Sequence, residues 1–327
     1  MSDLYGEVSL AMTLREELPS RHRHAAIAVA SPETTRTASI GSDLDADYEL
    51  GSISKAITGL LYADAVARGE IAPTSTLGSL LPLDDSAVAS VTLDALATHR
   101  TGISSVPRVR QPLRRTWRLY RHGRNPYGDT LEQLLAQARE VRVSRPKPAY
   151  SNFGFELLGH AVAAASGTTF VQLVEERIAG ELGLTGMYTP LTEDARRPTA
   201  LDGFSRRGRP RQPWTGEALG PAGGIRAGVT DMALLSQALL TRAAPGMSAL
   251  DPIASFSGKT RIGAAWVVMS LSGREITWHN GGTGGFRSWI GLDRDAGVGV
   301  ALLSATSSSV DAIGFSILSA QTRIPRT

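Results

Sequence analysis

Apolar and polar positions divide the chain into stretches of different period. Residues 24–30 (HAAIAVA) and 35–41 (TRTASIG) are short runs either side of a Ser-Pro-Glu turn, which predicts an N-terminal hairpin. From Ser52 to Arg68 the spacing turns helical, with Ile53, Ile57, Leu60 and Leu61 on one face and Gly69 near the end. Further helices are predicted over 92–98, 130–140, 152–165, 169–180 and 230–241, with Thr169 and Thr230 as N-caps and Gly167 as a stop. After about residue 260 the pattern changes to period two and short apolar runs: IGAAWVVMS, EITWH, SWIGL and VGVALLS. Turns at Leu271 to Gly273 and Asp293 to Gly297 separate them, and VDAIGFSILSA reads as a closing helix.

Strands at both ends with helices between them predict an α/β chain whose sheet is built from both termini. Residues 1–65 and 245–327 would form the sheet domain and 66–244 a mostly helical insertion, with a site between them. There is no internal repeat or low-complexity tract.

Length and composition change this picture little. The 327 residues are 42% apolar and 20% charged, enough for a full core. No run approaches the roughly 18 apolar residues of a membrane span, and the first residues lack the basic-then-apolar pattern of a signal peptide. A cytoplasmic location is therefore expected, provided Met1 is the native start. The absence of cysteine removes disulfides, a thiol nucleophile and thiolate metal sites. Arg outnumbers Lys 31 to 3, so Lys55, Lys147 and Lys259 stand out. A guanidinium stays protonated, whereas an amine with a lowered pKa can act as a base.

Lys55 lies three residues after Ser52 in GSISKAITGL. At a helix start the two side chains share a face, and the dipole end favours proton transfer from hydroxyl to amine. The other reading is that Ser52 caps the helix and Lys55 is solvated. Ser54 is the poorer nucleophile, because its neighbour at 55 points off another face. A second S-x-x-K, Ser144 to Lys147, contains Pro146 and precedes Pro148, which exclude a helical turn there.

Two further stretches carry candidate chemistry. PAYSNFGFELLG places Tyr150 and Asn152 just before a helix, and TWHNGGTGGFRSW places His279 and four glycines between strands. Alone, each reads as ordinary structure: a helix cap, a half-buried aromatic, a Gly-rich hairpin. Together, the order S-x-x-K, Y-x-N, H-x-G at 52, 150 and 279 resembles the serine β-lactamase and penicillin-binding-protein superfamily, nearest its class C β-lactamase, D-alanyl-D-alanine carboxypeptidase and esterase branch. YELGSISKAITGLLYADAVARGEI, LDALATHRTGI, LGLTGMYTP and PAGGIRAGVTDMALLSQAL resemble that branch too, over about residues 24 to 320.

The resemblance implies a β-lactamase/transpeptidase-like fold: an antiparallel sheet flanked by helices, an inserted mostly helical domain and the site between them. It implies Ser52 as nucleophile, Lys55 as proton acceptor and Tyr150 as proton shuttle to the leaving group. Asn152 would orient Lys55 and the substrate. His279 and Gly281 match the third motif, and the backbone N–H groups of Ser52 and Gly282 would form the oxyanion hole. His279 stands where β-lactamases usually carry Lys, so efficient β-lactam hydrolysis is not expected. The expected function is a cytoplasmic esterase, amidase or acyltransferase using an acyl-enzyme. A D-alanyl-D-alanine carboxypeptidase or weak β-lactamase is the alternative, and a non-catalytic binding protein on the same scaffold is the alternative of another class.

Residues 108–124 (RVRQPLRRTWRLYRHGR) hold seven Arg and no acid. They read either as a solvated face or as recognition of an anionic or carrier-borne substrate, to which SRRGRPR (205–211) would add. The modest net charge of +3 speaks against nucleic acid as a partner, and no membrane partner is expected. SGKT at 257–260 lacks the P-loop glycine, there being Ile253 in its place, and no G-x-S-x-G, H-E-x-x-H or dinucleotide fingerprint occurs. No cofactor or metal is expected, and the oligomeric state is left open.

Overall fold

The computed structural model describes residues 3–103, 124–126 and 128–322. In chain order the elements are β1 (Leu4–Gly6), α1 (Val8–Glu17), β2 (Ala25–Ala30), β3 (Thr35–Ile40), β4 (Asp47–Glu49), α2 (Ile53–Ala67), α3 (Leu93–Ala97), α4 (Leu131–Glu140), α5 (Asn152–Ala165) and α6 (Phe170–Val174). There follow β5 (Gly203–Phe204), β6 (Pro210–Arg211), β7 (Arg226–Gly228), α7 (Val229–Leu240), β8 (Ala254–Ser257), β9 (Thr260–Ile262), β10 (Val267–Leu271), β11 (Arg274–Gly282), β12 (Arg287–Asp293), β13 (Val298–Ser304) and α8 (Asp311–Gln321).

Nine strands form one antiparallel sheet in the order β1-β3-β2-β13-β12-β11-β10-β9-β8. The N-terminal hairpin joins the C-terminal strands through β2 and β13, with Val29 opposite Val300, so the sheet is built from both termini as the pattern predicts. Side-chain alternation then assigns each face a core. Ala26, Ala28, Ala301 and Leu303 pack into the cluster that contains α2 and α5. Ala25, Ile27, Val29, Val300, Leu302 and Trp289 face the other way, onto Leu10 and Leu14 of α1 and Ile317 and Leu318 of α8.

The helix over 52–68 is present but is not the one-sided stripe its spacing predicts. Every residue from Ile53 to Ala65 is buried, because α2 is the central helix between sheet and helical layer. Gly59 in its middle is explained by close approach: a Cβ there would sit 2.1 Å from the Ala264 carbonyl oxygen. Trp266 Nε1 donates to the Ala56 carbonyl at 3.1 Å and fixes the same contact.

Other boundaries agree or differ for local reasons. Gly167 follows α5 with φ +67°, and Thr169 caps α6 through the Gln172 N–H. That helix continues as a π-helical stretch over Glu175–Gly180. Thr230 does not cap α7, which begins at Val229; instead the Asp231 carboxylate accepts the Gly228 N–H at 2.8 Å. The IGAAWVVMS run is split, since β9 ends at Ile262 and β10 starts at Val267. Among the described residues no single helix is long and apolar enough to cross a membrane.

β4 and β7 pair away from the main sheet around a buried charge network. Arg226, 1% exposed, binds the Asp47 carboxylate through Nε and reaches Glu49 at 3.4 Å. Its Nη2 donates to the carbonyls of Asp47 (2.9 Å) and Leu201 (3.1 Å). The pair just beyond the Glu49–Arg226 end of this ladder closes the link, because Leu50 N–H donates to Ile225 O at 3.0 Å. This network therefore anchors the chain just before Ser52.

Candidate active site

The turn into α2 is held from two sides. Gly51 takes φ +53°, and a Cβ there would lie 2.6 Å from Gly282 N, so only glycine lets the chain pass β11 this closely. Ser288 Oγ donates to Leu50 O at 2.6 Å, and a Cβ on Gly281 would meet the same oxygen at 1.9 Å. Glycines 51, 281 and 282 thus bring the start of α2 against the β11–β12 pair.

Ser52 already has helical dihedrals (φ −65°, ψ −7°) and its side chain makes no capping hydrogen bond. The hydroxyl is instead 3.1 Å from Lys55 Nζ. Of the two readings of this stretch, the capped helix with a solvated lysine does not hold: Lys55 is fully buried. Burial pushes its pKa down to about 7, against a smaller opposing pull from the Glu156 carboxylate. Burial likewise pushes Glu156 up to about 8. Both groups are driven towards their neutral forms.

The lysine is aimed by the Gly220–Gly224 segment. Its Nζ donates to Ala222 O at 2.5 Å, Thr58 Oγ1 donates to Pro221 O at 2.8 Å, and Ile225 N–H donates to Ser54 Oγ at 3.1 Å. Ser54 is fully buried in this backbone contact. A carbonyl only accepts, so one amine N–H is committed to Ala222. A neutral Lys55 can then turn its lone pair to the Ser52 hydroxyl.

Tyr150 stands over Lys55, whose Nζ is 5.0 Å from the ring centroid, and remains 42% exposed. Its ring also lies against His99, at 4.6 Å between centroids. His99 Nδ1 accepts the Ser151 N–H at 3.2 Å, so the proton sits on Nε2, which is buried without a partner among the described residues. Burial, then Lys55 and His279, hold His99 well below the usual imidazole range. Asn152 is the first residue of α5; the N-cap is Ser151, whose Oγ accepts the Gly154 N–H at 3.0 Å.

His279 lies within β11, not after it. β10 pairs only as far as Trp278, opposite Val267, while His279 to Gly282 pair with Ile290 to Arg287 on the β12 side. His279 Nδ1 donates to Asn280 O at 2.7 Å, leaving Nε2 as an acceptor. Burial, then Lys55, lowers its pKa to about 4, so at neutral pH the third motif presents an uncharged ring.

The structure therefore brings Ser52, Lys55 and Tyr150 together, with Gly282 against the Gly51–Ser52 turn and Asn152 at the adjoining helix start. The second S-x-x-K, Ser144 to Lys147, is not helical. The Arg-rich stretch lies outside the described residues except for Arg124. His99, the Ala222 carbonyl and Glu156 carry no role in the sequence reading. The first two fall in stretches, LDALATHRTGI and PAGGIRAGV, that share the superfamily resemblance. Among the described residues no group of three or more His, Asp or Glu could hold a metal.

The family model described as Beta-lactamase matches residues 20–315. The chain belongs to the beta-lactamase family, whose members are serine hydrolases. It is 25% identical over 304 residues to a "Beta-lactamase-like protein" of Arthroderma benhamiae, covering 80% of this chain and 49% of that one. To the D-alanyl-D-alanine-carboxypeptidase/endopeptidase AmpH of Escherichia coli it is 27% identical over 176 residues, 50% of this chain and 43% of that one. It thus spans about half the length, or less, of these curated relatives. The crystal structure of a beta-lactamase/D-alanine carboxypeptidase from Pseudomonas syringae superposes with a TM-score of 0.81 at 17% identity, covering 97% of this chain and all of the other, and shows the shared fold.

Proposed function

We propose that the protein is a serine esterase, amidase or acyltransferase that works through an acyl-enzyme on Ser52. The observation that carries this is the buried, pKa-lowered Lys55 amine 3.1 Å from the Ser52 hydroxyl. Neutral Lys55 takes the Ser52 proton as Oγ attacks the ester or amide carbonyl. The C–O or C–N bond then breaks, and Tyr150 supplies the proton that the leaving oxygen or nitrogen needs. The backbone N–H groups of Ser52 and Gly282 hold the developing oxyanion, and Asn152 orients the substrate. Water, or the hydroxyl or amine of a second substrate, releases the acyl group by the reverse proton path.

The same machinery could serve the substrates named for the relatives, a D-alanyl-D-alanine peptide or a β-lactam. The neutral His279 favours the ester or amide reading, since it offers no permanent cation to a substrate carboxylate. A purely binding role leaves the pKa-lowered lysine beside a hydroxyl without a use. The proposed partner is a small-molecule ester or amide, with neither nucleic acid nor membrane involved.

The test is intact-mass measurement after a fluorophosphonate probe and a panel of esters, amides and β-lactams. Wild type should gain one adduct that Ser52→Ala does not. Equal labelling of both would remove Ser52 as nucleophile, and the surviving adducts identify the acyl class.

A further inference from the structure

Away from the serine, a cavity of about 400 Å³ opens between the 20–24 segment and the β5–β6 hairpin. Its charged and titratable lining is all basic or imidazole: Arg21, Arg23, His24, Arg206 and Arg207, with Phe204 beside them. Several arginines elsewhere are matched to acids, as with Arg15 and Asp3, Arg36 and Glu7, or Arg177 and Glu70. Among the described residues none of the four cavity arginines lies within ion-pair distance of a carboxylate. Gathering four guanidinium groups around one cavity costs self-repulsion that an anion in the cavity relieves.

The cavity is also built, not merely left between side chains. Arg21 Nε donates to Ser308 Oγ at 2.7 Å, which fixes that guanidinium and leaves its Nη groups for a ligand. The hairpin is tied to the strand behind it: Phe204 N–H donates to Ala305 O (3.2 Å), Ser307 N–H to Phe204 O (2.8 Å) and Arg206 N–H to Ser307 Oγ (2.9 Å). Ala305 N–H in turn donates to His24 O at 2.9 Å, joining the opposite wall.

We propose that this cavity binds a small diphosphate-bearing ligand at a site separate from Ser52. Guanidinium groups bind phosphate oxygens in paired, fork-like fashion, and several converging on one cavity match a multiply charged phosphate better than a single carboxylate. The Phe204 and Ala305 side offers an apolar surface to the organic part of such a ligand. In the sheet register Ala25, Ser304, Arg287 and Gly282 form one row, so the cavity and the serine lie at the same end of the sheet, three strands apart. At ordinary strand spacing that is about 14 Å. A ligand of this size leaves Ser52 open.

Calorimetric titration of the full chain with inorganic pyrophosphate, with citrate as a carboxylate of comparable charge, tests the proposal. Arg206→Glu/Arg207→Glu reverses two exposed cavity charges, and Arg242→Glu/Lys259→Glu reverses two exposed charges that do not line the cavity. The expected result is saturable binding of pyrophosphate to one site, weakened about tenfold or more by the first double variant and much less by the second. Fluorophosphonate labelling of Ser52 should be unchanged in both. Three outcomes overturn the proposal: no saturation up to about 10 mM, equal loss in the two variants, or citrate bound as tightly as pyrophosphate.

Discussion

His99 and Tyr150 lie ring against ring, 4.6 Å between centroids, and His99 also accepts the N–H of Ser151, the residue that follows Tyr150. One imidazole thus supports the phenol through its face and the adjoining backbone through Nδ1. His99→Ala removes both supports and leaves a buried N–H unpaired, a loss of about 1–3 kcal/mol. Ester acylation should fall about 10- to 100-fold, as expected for a misplaced catalytic group. His99→Gln, which retains an acceptor, should recover stability more than rate. A rate that follows stability in both variants would leave His99 with packing alone.

Lys55 sets a pH dependence of known sign. Below about 7 the amine is protonated and cannot accept the Ser52 proton, so acylation should rise with pH through that value. Lys55→Arg should lose the limb together with about a thousandfold or more in rate, because guanidinium does not deprotonate. A pH–rate profile of single-turnover acylation reads both.

The same burial affects stability. Between about 7 and the ordinary lysine value of 10.5 the unfolded chain binds a proton that the folded one does not. Stability therefore rises with pH across that window. Lys55→Met should abolish this slope and raise stability at neutral pH by about 1 kcal/mol or more, at the cost of activity. Denaturant melts at several pH values measure it.

Glu156 acts in the opposite sense. Its raised pKa means that the folded chain holds a proton between 4.5 and about 8, so its contribution to stability is lost as pH rises through about 8. Its carboxylate also pulls the Lys55 pKa upward. Glu156→Gln should flatten that stability loss and, because Glu156 is itself protonated where Lys55 titrates, leave the acylation limb within about half a unit of its place. A limb that falls by about a full unit or more would show the carboxylate ionised beside Lys55.

Arg226→Met strips the only guanidinium bonded to Asp47 and Glu49 among the described residues and leaves two buried carboxylates. A loss of about 3–5 kcal/mol is expected. Calorimetric melting of this variant and of an Arg226→Met/Asp47→Leu/Glu49→Leu triple variant, which should recover part of the loss, separates charge burial from packing.

Much of this was readable from residues and some was not. Period-two runs after residue 260 mark strands because each face of the sheet has its own core. Gly167 and Thr169 mark helix ends through local geometry that any fold must satisfy. Thr230 misleads because the helix opens one residue earlier, at Val229, with Gly228 at the cap and its N–H taken by the Asp231 carboxylate. β1 and α1 lack a readable pattern: the strand has three residues and the helix buries only Leu10, Ala11 and Leu14. At the site, Ser52, Lys55 and Tyr150 are named by their motifs. The Ala222 carbonyl that aims Lys55 has no side-chain signature, and the role of His99 depends on a left-handed backbone, φ +56°, that its sequence does not announce.

The bond from Lys55 to the carbonyl of Ala222, and the packing of Gly51 on Gly282, join points 167 and 231 positions apart along the chain. An emerging polypeptide therefore carries its serine for most of synthesis without the partners that arm it. Chemical reactivity arrives late, once the third contributing stretch has left the ribosome and docked. A protease cut in any of the intervening loops would leave every reacting atom intact, yet the aim of the lysine would then depend on the severed pieces staying bound.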